Sequence, residues 1–461
     1  MRSEPLGCAI VGLGPAGAGF LFNAFKSGKC ERLAAHGLLI LDGANSVGDG
    51  RLGEYQVSAN SVNDVFLNCL VDPAFGNIFM PLQQLPAYQR MRANPQSVSM
   101  LPEVATVLGA ATELLVAHIE RTYGVFVRRA SRVESVIRRG EHFDLRVCAP
   151  DGSRYEVRTA SVVMNIGGTQ TPRLLRDALR EMSLVAPEED ERMLTSDHVL
   201  SEPAAALRAH FSQLMRGSRS LVVVGGSHSA FSVLERLAVE LEAVGLKEIV
   251  LLHRSPIKLF FETREAAQQA GYVFDEEYDV CPVSGRINRS GGLRYRAFEI
   301  GGGVLTDGMV PGTRVKVRTL PVGGGDAVAN ADAQGCLSAC AGVIQCTGYQ
   351  PCLPELLRDD GEPVALREIQ GGLDSDAAGC PCDTDGRRIE GLHLFGLGSG
   401  LAVDPKIGSE ASFHGRIYGI WQFHHDASRP ALERVLTKAA WHEQLAHSQT
   451  LHRYRLGRGR R

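Results

Sequence analysis

The chain is expected to be an α/β protein that uses one strand–turn–helix–strand unit twice. Three observations carry that expectation. "AIVGLGPAGAG" puts an apolar strand directly before a glycine turn, and "LVVVGGSHSA" does so again in the middle of the chain. Each copy then ends on an apolar strand that stops at glycine, in "VVMNIGG" and in "VIQCTG".

The first unit opens with strand Cys8–Val11, turns at Gly12–Gly17, continues as a helix to about Lys26 and returns as strand Leu38–Asp42. The second opens with Leu221–Val224, turns at Gly225–Ala230, runs as a helix to about Ala243 and returns as Glu248–Arg254. Uninterrupted apolar strands around an amphipathic helix mark a parallel sheet, whose two faces are both covered. "FDLRVCAPDGSRYEVRTASVVMNIGGTQTP" reads as a hairpin turning at Asp151-Gly152, followed by a strand ending in Gly167-Gly168. "RVKVRTLPVGGGDAVANADAQGCLSACAGVIQCTGYQP" reads the same way, as a hairpin and then strand Val343–Cys346. Glycine at such a strand end lets backbone approach a bound nucleotide. A third such strand, in "GLHLFGLGSG", is expected to return to the first sheet, which makes the second unit an insertion. Gly48–Glu103 and much of Arg358–Arg388 lack these features and are expected to supply substrate-contacting loops.

With 461 residues, 44% hydrophobic and 22% charged, the chain has the length for two or three domains and the composition of a soluble protein. Its net charge of −3 argues against nucleic acid as a partner. Only the tail "RYRLGRGRR" is strongly basic, and a solvated end is expected there. Leu6–Phe25 carries no charge and, behind Arg2, imitates a signal segment or a membrane span. Its glycines and Pro15 disfavour a spanning helix and no small-residue cleavage site follows, so the expectation is a cytoplasmic protein without a membrane partner. Among the eleven cysteines, the close pairs Cys336/Cys340 and Cys380/Cys382 do not sit among histidines at zinc-site spacing. Free thiols and no metal site follow.

"GLGPAG" places Gly12, Gly14 and Gly17 in G-x-G-x-x-G spacing, with Pro15 and Ala16 opening the helix. The first glycine permits the tight turn, the second lets a pyrophosphate come close, and the third lets helix and strand pack. The helix N-terminus supplies positive potential for phosphates. Asp42, 25 residues past Gly17, ends the next strand, where a carboxylate accepts ribose hydroxyls and repels a 2′-phosphate. In the second turn, Gly225 is followed by Ser227, His228, Ser229 and Ala230, and the next strand ends in His253-Arg254 instead of an acid. A guanidinium there grips a 2′-phosphate. Serine at the middle position holds a pyrophosphate slightly away and offers it a hydroxyl, which suits an exchangeable cofactor. Two Rossmann-like dinucleotide-binding domains are therefore expected, one holding FAD permanently and an inserted one binding NADPH.

With these motifs placed, the chain resembles the two-dinucleotide flavoprotein monooxygenases of class B, and among them the lysine and ornithine N-hydroxylases. "GLGPAG" is similar to that family's first site, "GGSHSAFS" to its NADPH turn through Ser229-Ala230, and "CTGYQP" at Cys346–Pro351 to its ATGY-like motif. The F-x-G-x-x-x-H motif of the Baeyer–Villiger and mammalian-type relatives is not found. The C-x-x-C or C-x-x-x-x-C pair of the disulfide reductases is missing too, so electrons are expected to leave the flavin for oxygen or substrate.

The resemblance implies a monooxygenase that uses FAD, NADPH and O2 through a C4a-peroxyflavin, with the oxygenated atom open between an amine nitrogen, a ketone and a sulfide. No catalytic acid–base residues are assigned, because the cofactor carries such chemistry. A flavin dehydrogenase without oxygen insertion is the alternative, and a flavin-loaded sensor or scaffold a third reading. In similar proteins the segment after the ribose-binding strand passes beside the flavin, which makes Gln56, Ser58 and Asn60 candidates. Asn60 and Ser61 are equally expected as N-caps of a following helix, with Asp64 in its first turn. Gly398 and Ser399 are carried over as late flavin contacts. His198 in "TSDHVL" is expected in a surface loop, and Ile417, Ile420, Trp421 and His424 as core packing at helical spacing. The expected boundaries are residues 1–200 for the FAD domain, 201–350 for the NADPH domain, 351–440 for the return to the first, and 441–461 for the basic tail. The expected partner is a small-molecule substrate, and association of copies of the chain is left open.

Overall fold

The computed structural model describes residues 5–165, 167–369, 372–401, 403, 405–415 and 427–442. Ile417, Ile420, Trp421, His424 and nearly all of the basic tail lie outside the described residues.

The uncharged run at the start is a strand, Leu6–Val11, and a helix, Pro15–Lys26, with proline in its first turn, where no amide hydrogen is needed. Strand Leu38–Leu41 pairs parallel with the first strand from Cys8↔Leu38 to Val11↔Leu41. On the other side Leu6–Val11 pairs parallel with Arg154–Met164, from Leu6↔Thr159 to Val11↔Met164. The full sheet has eight strands in the order Glu355–Leu357, Arg132–Arg139, His142–Cys148, Arg154–Met164, Leu6–Val11, Leu38–Leu41, Phe126–Arg128. The eighth, Leu392–Leu394, adds parallel to Val162–Met164, so the chain does come back to its first sheet. The hairpin between His142–Cys148 and Arg154–Met164 is antiparallel, and Gly152 takes φ 81° in its turn.

The second sheet has five parallel strands in the order Lys316–Pro321, Glu248–His253, Ser220–Val224, Gly342–Gln345, Met193–Thr195. Its edge strand Met193–Thr195 lies ahead of the expected boundary at residues 200/201. The expected second hairpin is corrected: helix Ala327–Ala339 stands between Lys316–Pro321 and Gly342–Gln345, and both strands run parallel to their neighbours. The local chemistry explains it. Asp326 caps the helix by accepting from the amides of Val328 (2.9 Å) and Ala329 (3.2 Å), and an alanine-rich stretch follows. His198 is also corrected, since it belongs to helix Ser196–Ser201 and not to a loop.

The segment 48–103 contains helices Asn63–Leu67 and Pro86–Ala93 and the start of Leu101–Tyr123. That last helix is long and apolar enough to cross a membrane by composition. Here Val104, Val107, Leu108, Ala111, Leu115, Val116 and Ile119 bury its apolar face in the core beneath the first sheet.

His393, on the returning strand, is 1% exposed. Its Nδ1 lies 2.8 Å from the Ala378 carbonyl, while Nε2 is buried without a partner. Burial holds the imidazole down to about 4 from the ordinary 6.5. Between pH 6.5 and 4 the unfolded chain therefore binds a proton that the folded one refuses, so stability is full above that window and is lost as pH falls through it. One such group is worth about 3 kcal/mol at the acid end. Melting temperature measured from pH 7 to 4 should fall, and His393→Gln should fall less steeply over the same range. Parallel curves for the two proteins would show that His393 is not responsible.

Candidate active site

The first glycine turn is built by close backbone contact. Gly12 has φ 84°, and a Cβ on Gly17 would stand 2.1 Å from the Gly12 carbonyl oxygen. A Cβ on Gly14 would come within 3.3 Å of Gly50 Cα, and Pro15 lies against the same Gly50. Ala16 faces Gly396, just past the returning strand. Asp42 accepts from the Leu13 amide (2.5 Å) with one oxygen and the Ala44 amide (2.7 Å) with the other. Burial pushes its carboxyl above the ordinary range, against the pull of those two donors. Each oxygen keeps a lone pair for a further donor. Asn165, at the end of Arg154–Met164, leaves Oδ1 buried and unpartnered beside Gly17.

The second turn repeats this with two changes. Gly225 has φ 136°, and a Cβ there would meet the Cys346 carbonyl oxygen at 2.2 Å. Ser227 occupies the N-cap of helix His228–Leu241 at φ −117°, an ordinary conformation for a residue with a side chain, and makes no side-chain cap bond. Serine therefore fits without strain, and its side chain takes none of the first helical amides, of which Ala230 donates to the Ser227 carbonyl at 2.9 Å. Ser229 and Ala230 form the first turn, with Ala230 fully buried. Gln345 Oε1, at the end of the neighbouring strand, is buried and unpartnered as Asn165 Oδ1 is in the first sheet. Two tight turns, two open helix starts and an orphaned amide oxygen beside each suit a dinucleotide at either place.

Arg254 follows strand Glu248–His253 and is 64% exposed, with Glu181 at 3.3 Å as its described partner. A contact this exposed costs little to exchange for a phosphate.

The helix after Asn60 and Ser61 begins at Asn63, with Val62 at its cap and no capping side chain. The expected caps are corrected. Backbone carbonyls of Ser97 and Pro95 take the Asn63 and Asp64 amides, at 2.8 and 2.9 Å, so the helix needs no polar cap. Gln56 is exposed, with its side chain toward the Glu54 carbonyl, while its amide donates to Leu200 of the second domain at 2.8 Å. Ser61 is half-buried. Ser58 and Asn60 line a cleft with His228, Glu235, Arg294 and Arg296. Gly398 (φ 81°) and the buried Ser399 pack on Gln350 and Leu373.

Sequence reasoning passed over a polar cluster at the domain junction. Asp197 Oδ1 accepts from the hydroxyls of Tyr55 (2.5 Å) and Tyr349 (3.1 Å), and its other oxygen pairs with Arg51. Burial raises both phenols far above their ordinary pKa. Gln170 accepts from Ser196 Oγ and the Asp197 amide, both at 3.1 Å, and donates to the Gly348 carbonyl at 3.0 Å. Ser196 and Asp197 stand in "TSDHVL", Gln170 in the first hairpin stretch and Tyr349 in "CTGYQP", yet none of those motifs points to their meeting.

No family model matches the chain. A CMP-5′-(3-aminopropyl)phosphonate hydroxylase of Streptomyces rubellomurinus is 30% identical over 438 residues, covering 93% of this chain and 96% of the relative. Among solved structures, the ornithine N-hydroxylase of Kutzneria sp. 744, described with reduced FAD, NADP+ and L-ornithine, is 14% identical. It covers 93% of this chain and 99% of its own, with a TM-score of 0.52. The FAD-bound cadaverine monooxygenase of Erwinia amylovora is 13% identical and covers 95% of each chain, also at 0.52. Similarity at that identity establishes the fold. The hydroxylase reaches further, because it matches from end to end.

Proposed function

We propose that this chain, which belongs to the flavin-dependent monooxygenase family of the CMP-5′-(3-aminopropyl)phosphonate hydroxylase and the amine N-hydroxylases, hydroxylates a primary amine carried on an anionic phosphonate. The observation that carries this reading is the end-to-end 30% identity with that hydroxylase. The balanced reaction converts amine, O2, NADPH and a proton into hydroxylamine, NADP+ and water. The dehydrogenase alternative is not favoured, because the matched relative is a hydroxylase.

FAD suits the first turn: Gly12, Gly14 and Gly17 admit the pyrophosphate, and Asp42 retains lone pairs for ribose hydroxyls. NADPH suits the second, with Gly225, Ser227 and the amides of His228 and Ser229 on its pyrophosphate and Arg254 on its 2′-phosphate. When bound, the flavin accepts hydride and activates oxygen. The chain's own contribution is to hold the two nucleotides and the amine together and to exclude water. Ser58 and Asn60 offer polar contacts from the flavin side of the cleft, and His228 faces them from the NADPH side.

The test is to incubate flavin-loaded protein with NADPH, O2 and CMP-5′-(3-aminopropyl)phosphonate and look for one added oxygen by mass. Peroxide release without an oxygenated product would overturn the reading. Arg254→Gln should lower the preference for NADPH over NADH about 10-fold, the value of one charge-assisted phosphate contact. The check is the rate of flavin reduction with each nucleotide; an unchanged preference would remove Arg254 from the site.

A further inference from the structure

Arg294 stands at the mouth of the interdomain cleft, half-buried, with its guanidinium 4.4 Å over the Phe260 ring centroid. Among the described residues no carboxylate pairs with it. The acids around it hold other cations. Glu235 takes Arg296 and Glu262 takes Arg286, each at 2.6 Å, while Asp279 takes Lys258 at 2.6 Å. Arg289, nearby, donates to the Ile407 carbonyl and has no described carboxylate either. Burial holds the Arg294 guanidinium below its ordinary pKa, with Arg286 and Arg289 adding to that and Tyr295 and Glu262 opposing it. A partly desolvated cation with no carboxylate of its own is costly without an anion.

The backbone holding Arg294 is over-determined. Its amide donates to His228 Nε2 at 3.1 Å, on the helix of the second glycine turn. That imidazole is kept neutral, its pKa lowered to about 4 first by burial and then by Arg294. The preceding Leu293 is 1% exposed and bonded both ways, to the Lys258 carbonyl (2.7 Å) and from the Phe260 amide (3.0 Å). Glu410, 2% exposed, clamps the same loop by accepting from the Ser290 and Gly291 amides. The following Tyr295 sits at φ 49°, a strained conformation for a bulky residue, which persists only where its surroundings impose it. Such rigidity is unneeded for a solvated arginine. It suits a planar donor fork held ready for a tetrahedral oxyanion.

We propose that Arg294 is the residue that receives the phosphonate or phosphate oxyanion of the substrate and so sets this site's specificity for phosphonate-bearing amines. This rests on the reading given under Proposed function. The shared chemistry, a phosphorus oxyanion, also occurs in NADPH, and the test separates the two sources.

Binding to flavin-loaded protein is measured by the change in flavin fluorescence for CMP-5′-(3-aminopropyl)phosphonate and, separately, for NADP+. Arg294→Gln is expected to weaken the phosphonate nucleotide about 30-fold, the scale of a lost charge-assisted contact, with NADP+ within about twofold. Arg294→Lys should recover part of the loss, because it restores the charge and not the fork. Weakened NADP+ with unchanged phosphonate binding would assign the guanidinium to the cofactor and overturn the proposal. No change in either would overturn it too, as would a wild-type protein that binds no phosphonate nucleotide. If wild type binds the phosphonate nucleotide, Arg294→Gln loses it and no hydroxylamine forms, the catalytic reading falls and the anion site stands. If another amine is hydroxylated and no phosphonate binds, the reverse holds.

Discussion

Gly225→Ala is expected to give a protein that keeps its flavin and is no longer reduced by NADPH at a useful rate. At φ 136° a residue with a side chain is strained, and the new Cβ would lie 2.2 Å from the Cys346 carbonyl oxygen and 2.7 Å from its carbon. Neither atom can yield cheaply. The Cys346 amide is bonded to the Val224 carbonyl at 2.8 Å, and the Gly225 amide to the Leu252 carbonyl at 2.8 Å, so three strands meet at this point. Strain and overpacking cost about 1–3 kcal/mol each, and relief requires the turn to move off the helix axis where the phosphates would sit. Flavin reduction by NADPH should slow roughly 100-fold, by the conversion of such an energy into an equilibrium constant. Flavin content and reduction by dithionite should be unchanged, because the first turn belongs to another sheet. Reduction at the wild-type rate would mean that the nicotinamide cofactor does not use this turn. Loss of flavin as well would mean that the strain had spread through the fold.

The contrast with the middle position of the same turn is informative. Ser227 is harmless to the backbone where Gly225→Ala is not, because Ser227 has φ −117° and Gly225 sits in the region open to glycine. In the first turn the corresponding Gly14 is not at positive φ either, but Gly50 lies over it, so a side chain there would press on a neighbouring loop. The two turns thus differ in what covers them, which a motif comparison alone does not reveal.

What could be read from the amino-acid order was local. The first strand and helix, the Asp151-Gly152 hairpin and the return of "GLHLFGLGSG" to the first sheet all follow from apolar runs and glycine placed within a few residues of each other. The second hairpin failed because symmetry with the first was given more weight than the Asp326 cap and the alanines behind it. The Asn60 and Ser61 caps failed because Ser97 and Pro95, more than thirty residues on, satisfy the helix start through their carbonyls. Arg294 carried no signal at all. Its interest comes from Phe260 beneath it, His228 behind it and acids that are engaged elsewhere, and none of these is near it in a window of sequence. The same holds for Asp197, whose partners arrive from three segments.

Asp197→Ala is expected to uncouple the two domains. The carboxylate joins Tyr55 and Arg51, from the segment after strand Leu38–Leu41, to Tyr349, just past the central strands of the second sheet. Arg51 is half exposed and its ion pair contributes little. The phenols decide the outcome, because Tyr55 is 9% exposed and its hydroxyl would lose its carboxylate acceptor, while the half-buried Tyr349 keeps Ser196 within reach. Losing that acceptor costs Tyr55 about 1–3 kcal/mol. The larger consequence is geometric. Hydride transfer requires the nicotinamide and the flavin at near-contact distance, and a misplacement of about 1 Å costs on the order of 100-fold in rate. NADPH-driven flavin reduction should therefore slow roughly 100-fold while NADPH affinity changes less than about threefold, since the second turn itself is untouched. Asp197→Asn retains an acceptor for the tyrosines and should fall between the two. A variant with a lowered melting temperature and an unchanged reduction rate would show that the cluster only stabilises the fold and does not set the angle between its domains.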